Sequence, residues 1–127
     1  MSNAIESITT TALGLALDAA SQRQQVIATN IANAGTVGYT PVRLGFADQM
    51  QDLQRRLDAG LPLDSYSLAA FQTRMTPVLD ANNQPAKVQL DEEVVMMSQN
   101  SVQYQALVRG LSRHLSILGM AASDGKR

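Results

Sequence analysis

ATNIANAGTVGYTPVR, residues Ala28 to Arg43, changes character halfway along its length. Ala28, Ile31 and Ala32 stand among polar neighbours at helical spacing, and then Gly35, Gly38 and Pro41 break the pattern with one aromatic, Tyr39, between them. Asn30 and Asn33 fall at i and i+3 on the final turns of that helix. Side-chain amides there can satisfy carbonyls left open where a helix stops. The stretch reads as a helix stop with a fixed exit, Tyr39 folding back on the helix. A fixed exit matters when a chain must leave a bundle in a defined direction.

Upstream, a seam steps by alternating fours and threes through Leu13, Leu17, Ala20, Gln24, Ile27, Ile31 and Ala34. This is coiled-coil spacing with one polar position, Gln24. The spacing predicts a helix over 11–34, with Thr9-Thr10-Thr11 as N-cap hydroxyls and Gly35 as the left-handed residue that ends it. The C-terminal third carries a longer seam: Leu90, Val94, Met97, Ser101, Tyr104, Val108, Leu111, Leu115 and Leu118. At about 1.5 Å per residue it extends roughly 42 Å. Asp91, Glu92 and Glu93 at its start and Arg109, Arg113 and His114 toward its end complement a helix dipole.

Between these helices, breakers at Gly60, Pro62, Pro77 and Pro85 exclude a long regular element. A short helix over 45–57, carrying Phe46, Met50, Leu53 and Leu57, and a small hairpin turning at Asn82-Asn83 between Thr76 and Val88 are the candidates there. The expected fold is mainly α. Long N- and C-terminal helices pair as an antiparallel, coiled-coil-like hairpin around an irregular centre. Residues 1–43, 44–87 and 88–127 form the three parts of one structural unit.

Composition narrows the function. The chain has 127 residues, 45% of them apolar but only 4% aromatic, so its core rests on aliphatic side chains and six Met. Ten Lys and Arg against eleven Asp and Glu provide no basic face for nucleic acid and no polybasic membrane patch. Without cysteine, disulfides and thiolate metal sites are excluded. The apolar runs fall short of the roughly 20 residues of a membrane span, and the N-terminus does not read as a cleaved signal peptide. The lone His114 has no identifiable partner carboxylate in sequence, and consecutive Asp91, Glu92 and Glu93 diverge around a helix, so neither catalysis, a metal site nor a cofactor is expected. Gly35 to Gly38 spells G-x-x-G, but with no Lys or Arg inside it and no preceding strand it is a poor phosphate or RNA loop.

The opening stretch resembles the N-terminal signature of bacterial flagellar rod and hook proteins, approximately A-x-N-I-A-N-A-x-T-P-G-Y. Asn30, Ile31, Ala32, Asn33, Ala34, Thr36, Gly38 and Tyr39 match it. VQLDEEVVMMSQNSVQYQALVRGLSRHL resembles the C-terminal block of the basal-body rod members, the proximal rod proteins above all, with Leu90, Glu93, Asn100, Tyr104, Gln105 and 107–115 in the expected order. Val37 stands where the family commonly has proline, and Gly35 replaces a polar residue.

The resemblance implies a structural protein whose paired end helices stack helically into the hollow shaft that carries torque from motor to hook across the periplasm. It implies export by the flagellar type III apparatus. The partners it implies are further copies, other rod proteins, the rod-base adaptor and proteins of the export gate and membrane ring. On this reading Leu13, Leu17, Ile27 and Ile31, with Leu90, Val94, Tyr104, Val108, Leu111 and Leu115, form the assembly seam. Asn30, Asn33, Gly38 and Tyr39 set the helix exit and contact neighbouring subunits. The competing reading is a soluble helical adaptor or chaperone that holds a partner helix in a groove.

Overall fold

In the computed structural model of this chain, the described residues are 2–46, 51–52, 55–56, 59 and 72–125, with side chains described from Ile8 onward. Helix α1 spans Ser2–Ala32, strand β1 Val42–Gly45, strand β2 Arg74–Pro77 and helix α2 Leu90–Asp124. The two helices pack against each other antiparallel: Asn30 near the end of α1 meets Glu93 at the start of α2, and Ala20 and Gln24 meet Asn100. No helix among the described residues is long and apolar enough to cross a membrane.

Both helices are longer than their seams. Helix α1 starts at Ser2 instead of Thr11, because residues 2–10 contain neither Gly nor Pro to stop it. Thr9, Thr10 and Thr11 therefore lie inside the helix and are not caps. Helix α2 begins with Asp91, Glu92 and Glu93 in its first turn, where acidic charge opposes the dipole. Its far end differs from expectation. It runs on to Asp124 with no basic residue in the last turn, which leaves Arg109, Arg113 and His114 too far back to act on the terminal carbonyls.

The exit also corrects a detail. Helix α1 stops at Ala32 and unwinds through short turns, Ala34 N–H donating to Ile31 O at 3.2 Å and Thr36 N–H to Asn33 O at 3.0 Å. Gly35 is not the left-handed residue; Gly38 is, at φ +79°. Tyr39 N–H donates to Thr36 O at 3.2 Å, so Gly38 is the third residue of a turn whose second, Val37, has negative φ. That is a type II turn, whose third position wants glycine and whose second suits proline.

Beyond the turn, β1 pairs antiparallel with β2, Val42 opposite Pro77 and Gly45 opposite Arg74. Leu44 and Phe46 are buried against Ala19 of α1, with Val26 packed beside them. The Arg23 guanidinium lies 5.8 Å from the Phe46 ring centre, within cation–π range. Gly45 therefore belongs to a strand and not to the expected short helix. Residues 51–52 and 55–56 are helical, while Met50, Leu53 and Leu57 lie outside the described residues. After β2 the expected hairpin turns at Asn82-Asn83. Asp80 Oδ1 accepts the N–H groups of Asn82 and Gln84 at 2.8 and 3.0 Å, Asn83 takes φ +60°, and Leu79 bridges to Pro85.

The turn yields a prediction. Val37 is fully exposed and Gly38 has open space around it, so only backbone conformation is at stake. Val37→Pro is expected to stabilise the fold by about 0.5 kcal/mol, chiefly by restricting the unfolded chain. Gly38→Ala is expected to cost about 1 kcal/mol through left-handed strain. Thermal unfolding followed by circular dichroism reads both; a lower midpoint for Val37→Pro would refute the turn assignment.

Candidate functional site at the helix exit

Asn30 sits on the last turn of α1 with no exposed surface. A primary amide offers two donor hydrogens and two acceptor lone pairs. All four are used. Its Nδ2 donates to Val42 O at 2.9 Å and to Glu93 Oε2 at 3.2 Å. Its Oδ1 accepts the Tyr39 hydroxyl at 2.7 Å and Val42 N–H at 3.1 Å. One side chain thus ties α1 to the exit turn, to β1 and to the first turn of α2.

Glu93 extends the network. It is 1% exposed, and Arg43 Nη2 lies 2.6 Å from its Oε1. That contact pairs the charges without a well-aligned N–H, so Oε1 carries no directed hydrogen bond. Arg43 is 29% exposed and also donates from Nη1 to Val42 O at 3.2 Å. The pair therefore has one dry end and one wet end. Asn33 works closer to home: its Nδ2 donates to Thr29 O at 2.9 Å, covering a carbonyl of the last turn, and its Oδ1 accepts the Thr36 hydroxyl at 3.2 Å. Asn30, Asn33 and Tyr39 are joined through this chain of bonds, while Gly38 contributes the bend between them. Together these bonds fix the direction in which the chain leaves α1.

The seam residues divide between two faces. Ile27 is buried, and Leu13, Leu17, Ile31 and Leu111 are half-buried. Leu90, Val94, Tyr104, Val108 and Leu115 are exposed, four of the five by 40% or more. Of the alternate seam positions on α2, Met97, Leu111 and Leu118 are half-buried, while Leu90 and Tyr104 are exposed. At the others, the residue one step earlier takes the inward place: Glu93, Asn100, Leu107 and His114 instead of Val94, Ser101, Val108 and Leu115. The helix is rolled so that Glu93 and Asn100 reach polar partners on α1. Apolar periodicity alone could not find this face. The signal was two polar residues, Glu93 and Asn100, one heptad apart.

Comparison with known proteins agrees with this picture. Residues 12–40, which hold α1 from its alanine face through the exit turn, match the family model described as flagella basal body rod protein. The flagellar basal body rod protein FlgB of Escherichia coli (strain K12) is 34% identical, over 76% of this chain and 80% of its own length. That of Shigella flexneri matches to the same extent, and that of Bacillus subtilis (strain 168) is 27% identical over 87% of this chain and 90% of its own.

The unequal burial of the ion pair predicts unequal variants. Arg43→Gln strands a buried carboxylate and is expected to cost about 2 kcal/mol, less than the roughly 3–5 kcal/mol of a fully buried pair because Arg43 is partly wet. Glu93→Gln keeps an acceptor for Asn30 and releases an arginine that can turn to water, at roughly half that cost. Urea denaturation measures both; a larger loss for Glu93→Gln would reverse the assigned roles.

Proposed function

Because the chain belongs to the FlgB family of flagellar basal-body rod proteins, and is thereby a structural component of the rod, we propose that it forms the proximal part of the shaft through its paired end segments, 1–43 and 88–127. The observation that carries this reading is the set of apolar side chains that α2 leaves exposed, Leu90, Val94, Tyr104, Val108 and Leu115. Covering a half-exposed Leu or Val is worth about 1 kcal/mol. Together they give neighbouring subunits apolar surface to bury.

The composition of the α1 contact supports the same view. Its buried residues are Ala12, Ala16, Ala20, Ile27 and Asn30, small or polar for the most part. A pair held by such a face gains less from its own burial than from subunits added outside it. Interfaces that repeat head to tail without closing generate a helical shaft. The subunit's contribution is mechanical: it performs no chemistry, takes no cofactor and passes torque from motor to hook. Its neighbours are its own copies, other rod proteins, the rod-base adaptor and proteins of the export gate and membrane ring. The rod lies in the periplasm, and the subunit reaches it through the flagellar type III apparatus. The exit group, Asn30, Asn33, Gly38 and Tyr39, aims the chain toward the next subunit.

The exposed set can be tested apart from folding. Val94→Asp and Leu115→Asp place a charge where water already reaches, so helix content and thermal midpoint of the purified chain are expected to stay within about 0.5 kcal/mol of the parent. Incorporation into basal bodies, and with it swimming, is expected to be lost, because assembly would bury an unpaired carboxylate. Normal motility in both variants would remove this face from the assembly surface.

A further inference from the structure

Asn100 is 2% exposed in the middle of the helix pair. Its Nδ2 donates to Ala20 O at 2.8 Å and to Gln24 Oε1 at 2.7 Å, while its Oδ1 has no partner among the described residues. An unsatisfied buried acceptor is a cost that leucine at the same place would not carry. A cavity of about 160 Å³, bounded by Ala20, Gln24, Ser101 and Tyr104, even leaves room for one. Along α1 from its partners, the buried Ala12, Ala16 and Ala20 and the half-buried Leu13 and Leu17 are all apolar, and apolar packing is non-directional. Such a face binds a neighbouring helix closely but does little to stop it sliding by a heptad.

We infer that Asn100, with its acceptors Gln24 and Ala20 O, is the residue that chooses the register of the α1–α2 pair. A slip of one heptad along α1 would carry its amide from Ala20 and Gln24 to Leu13 and Leu17, or to Ile27 and Ile31. At either place the amide would face aliphatic side chains and lose the Gln24 Oε1 acceptor, keeping at most a backbone carbonyl in place of Ala20 O. Glu93, one heptad before Asn100, would leave Asn30 in the same step. The two ties reinforce each other, and a polar residue in a seam is a known means of setting register at the expense of stability. The inference concerns the chain's own helices and does not depend on rod assembly.

The absence of native cysteine makes the test direct. Continuing the offset set by Asn30–Glu93, Ala12 falls level with Leu111, and one heptad of slip brings Leu118 there instead. Two versions of the chain are prepared, Ala12→Cys with Leu111→Cys and Ala12→Cys with Leu118→Cys, each with Asn100 intact and with Asn100→Leu. Disulfide formation requires the paired Cα atoms to come within about 7 Å. With Asn100 intact, rapid closure is expected only for the 12–111 pair. With Asn100→Leu, the 12–118 disulfide is expected to form at least tenfold faster than before, while the 12–111 disulfide forms at its earlier rate and serves as the control for folding. If leucine prevents folding, Asn100→Ala, which adds no volume, is read with the same pairs. No acceleration of the 12–118 disulfide in a folded variant would overturn the inference. So would loss of both disulfides in both variants, since Asn100 would then hold the helices together without selecting their register.

Discussion

The structure depends on one amide. The Asn30 side chain spends both donors and both acceptors on four groups from three places in the chain: Tyr39, the two backbone groups of Val42, and Glu93. Few side chains could replace it. Asp lacks the donors and would set a second carboxylate against Glu93; Leu would strand a buried N–H, a carbonyl and a carboxylate; Gln is one methylene too long for the same four partners. Fully satisfied buried networks are rigid, and each broken link exposes the desolvation cost of the others. The exit of α1, the start of β1 and the first turn of α2 therefore form together.

That constraint explains the unusual division of apolar surface. Because Glu93 and Asn100 must face α1 to find their partners, α2 turns Leu90, Val94, Val108 and Leu115 outward. A chain whose purpose ended with its own folding would gain by turning those residues in. For a member of a family of rod proteins the arrangement has a physical logic. Polar groups fix the geometry within the subunit, and the larger apolar side chains remain for contacts between subunits under the assembly proposed above. Alanines on α1 let the helices approach closely, and the strand pair anchors the far side of α1 through Leu44 and Phe46.

Much of this was legible in the residues themselves. Two long helices, their antiparallel pairing and the turn at Asn82-Asn83 followed from four-three spacing and from breaker chemistry. A helix stop shortly before Gly35 and the backward reach of Tyr39 were readable from amides placed before glycines, although the helix ends at Ala32, two residues short of the expected Ala34. The strand at Val42–Gly45 was not, because four residues paired with a segment about thirty positions away leave no periodicity of their own. The roll of α2 was hidden for a different reason. Counting apolar residues favours Val94 and Val108, and only knowing that Asn30 and Gln24 wait opposite makes Glu93 and Asn100 the inward choice. The start of α1 was misjudged because nothing in residues 2–10 forbids the helix to begin at Ser2.

Asn30 transmits the ordering of the exit turn to the start of α2. Tyr39 and Glu93 share no bond with each other, yet each is bonded to that amide. The direct measurement is a double-mutant cycle on unfolding free energy, with Tyr39→Phe and Glu93→Gln made singly and together. The network predicts a coupling of about 0.5 kcal/mol or more between the two positions, whereas independent sites add to within about 0.3 kcal/mol. Simple additivity would mean that the helix exit and the helix pair are held separately, and would contradict the account.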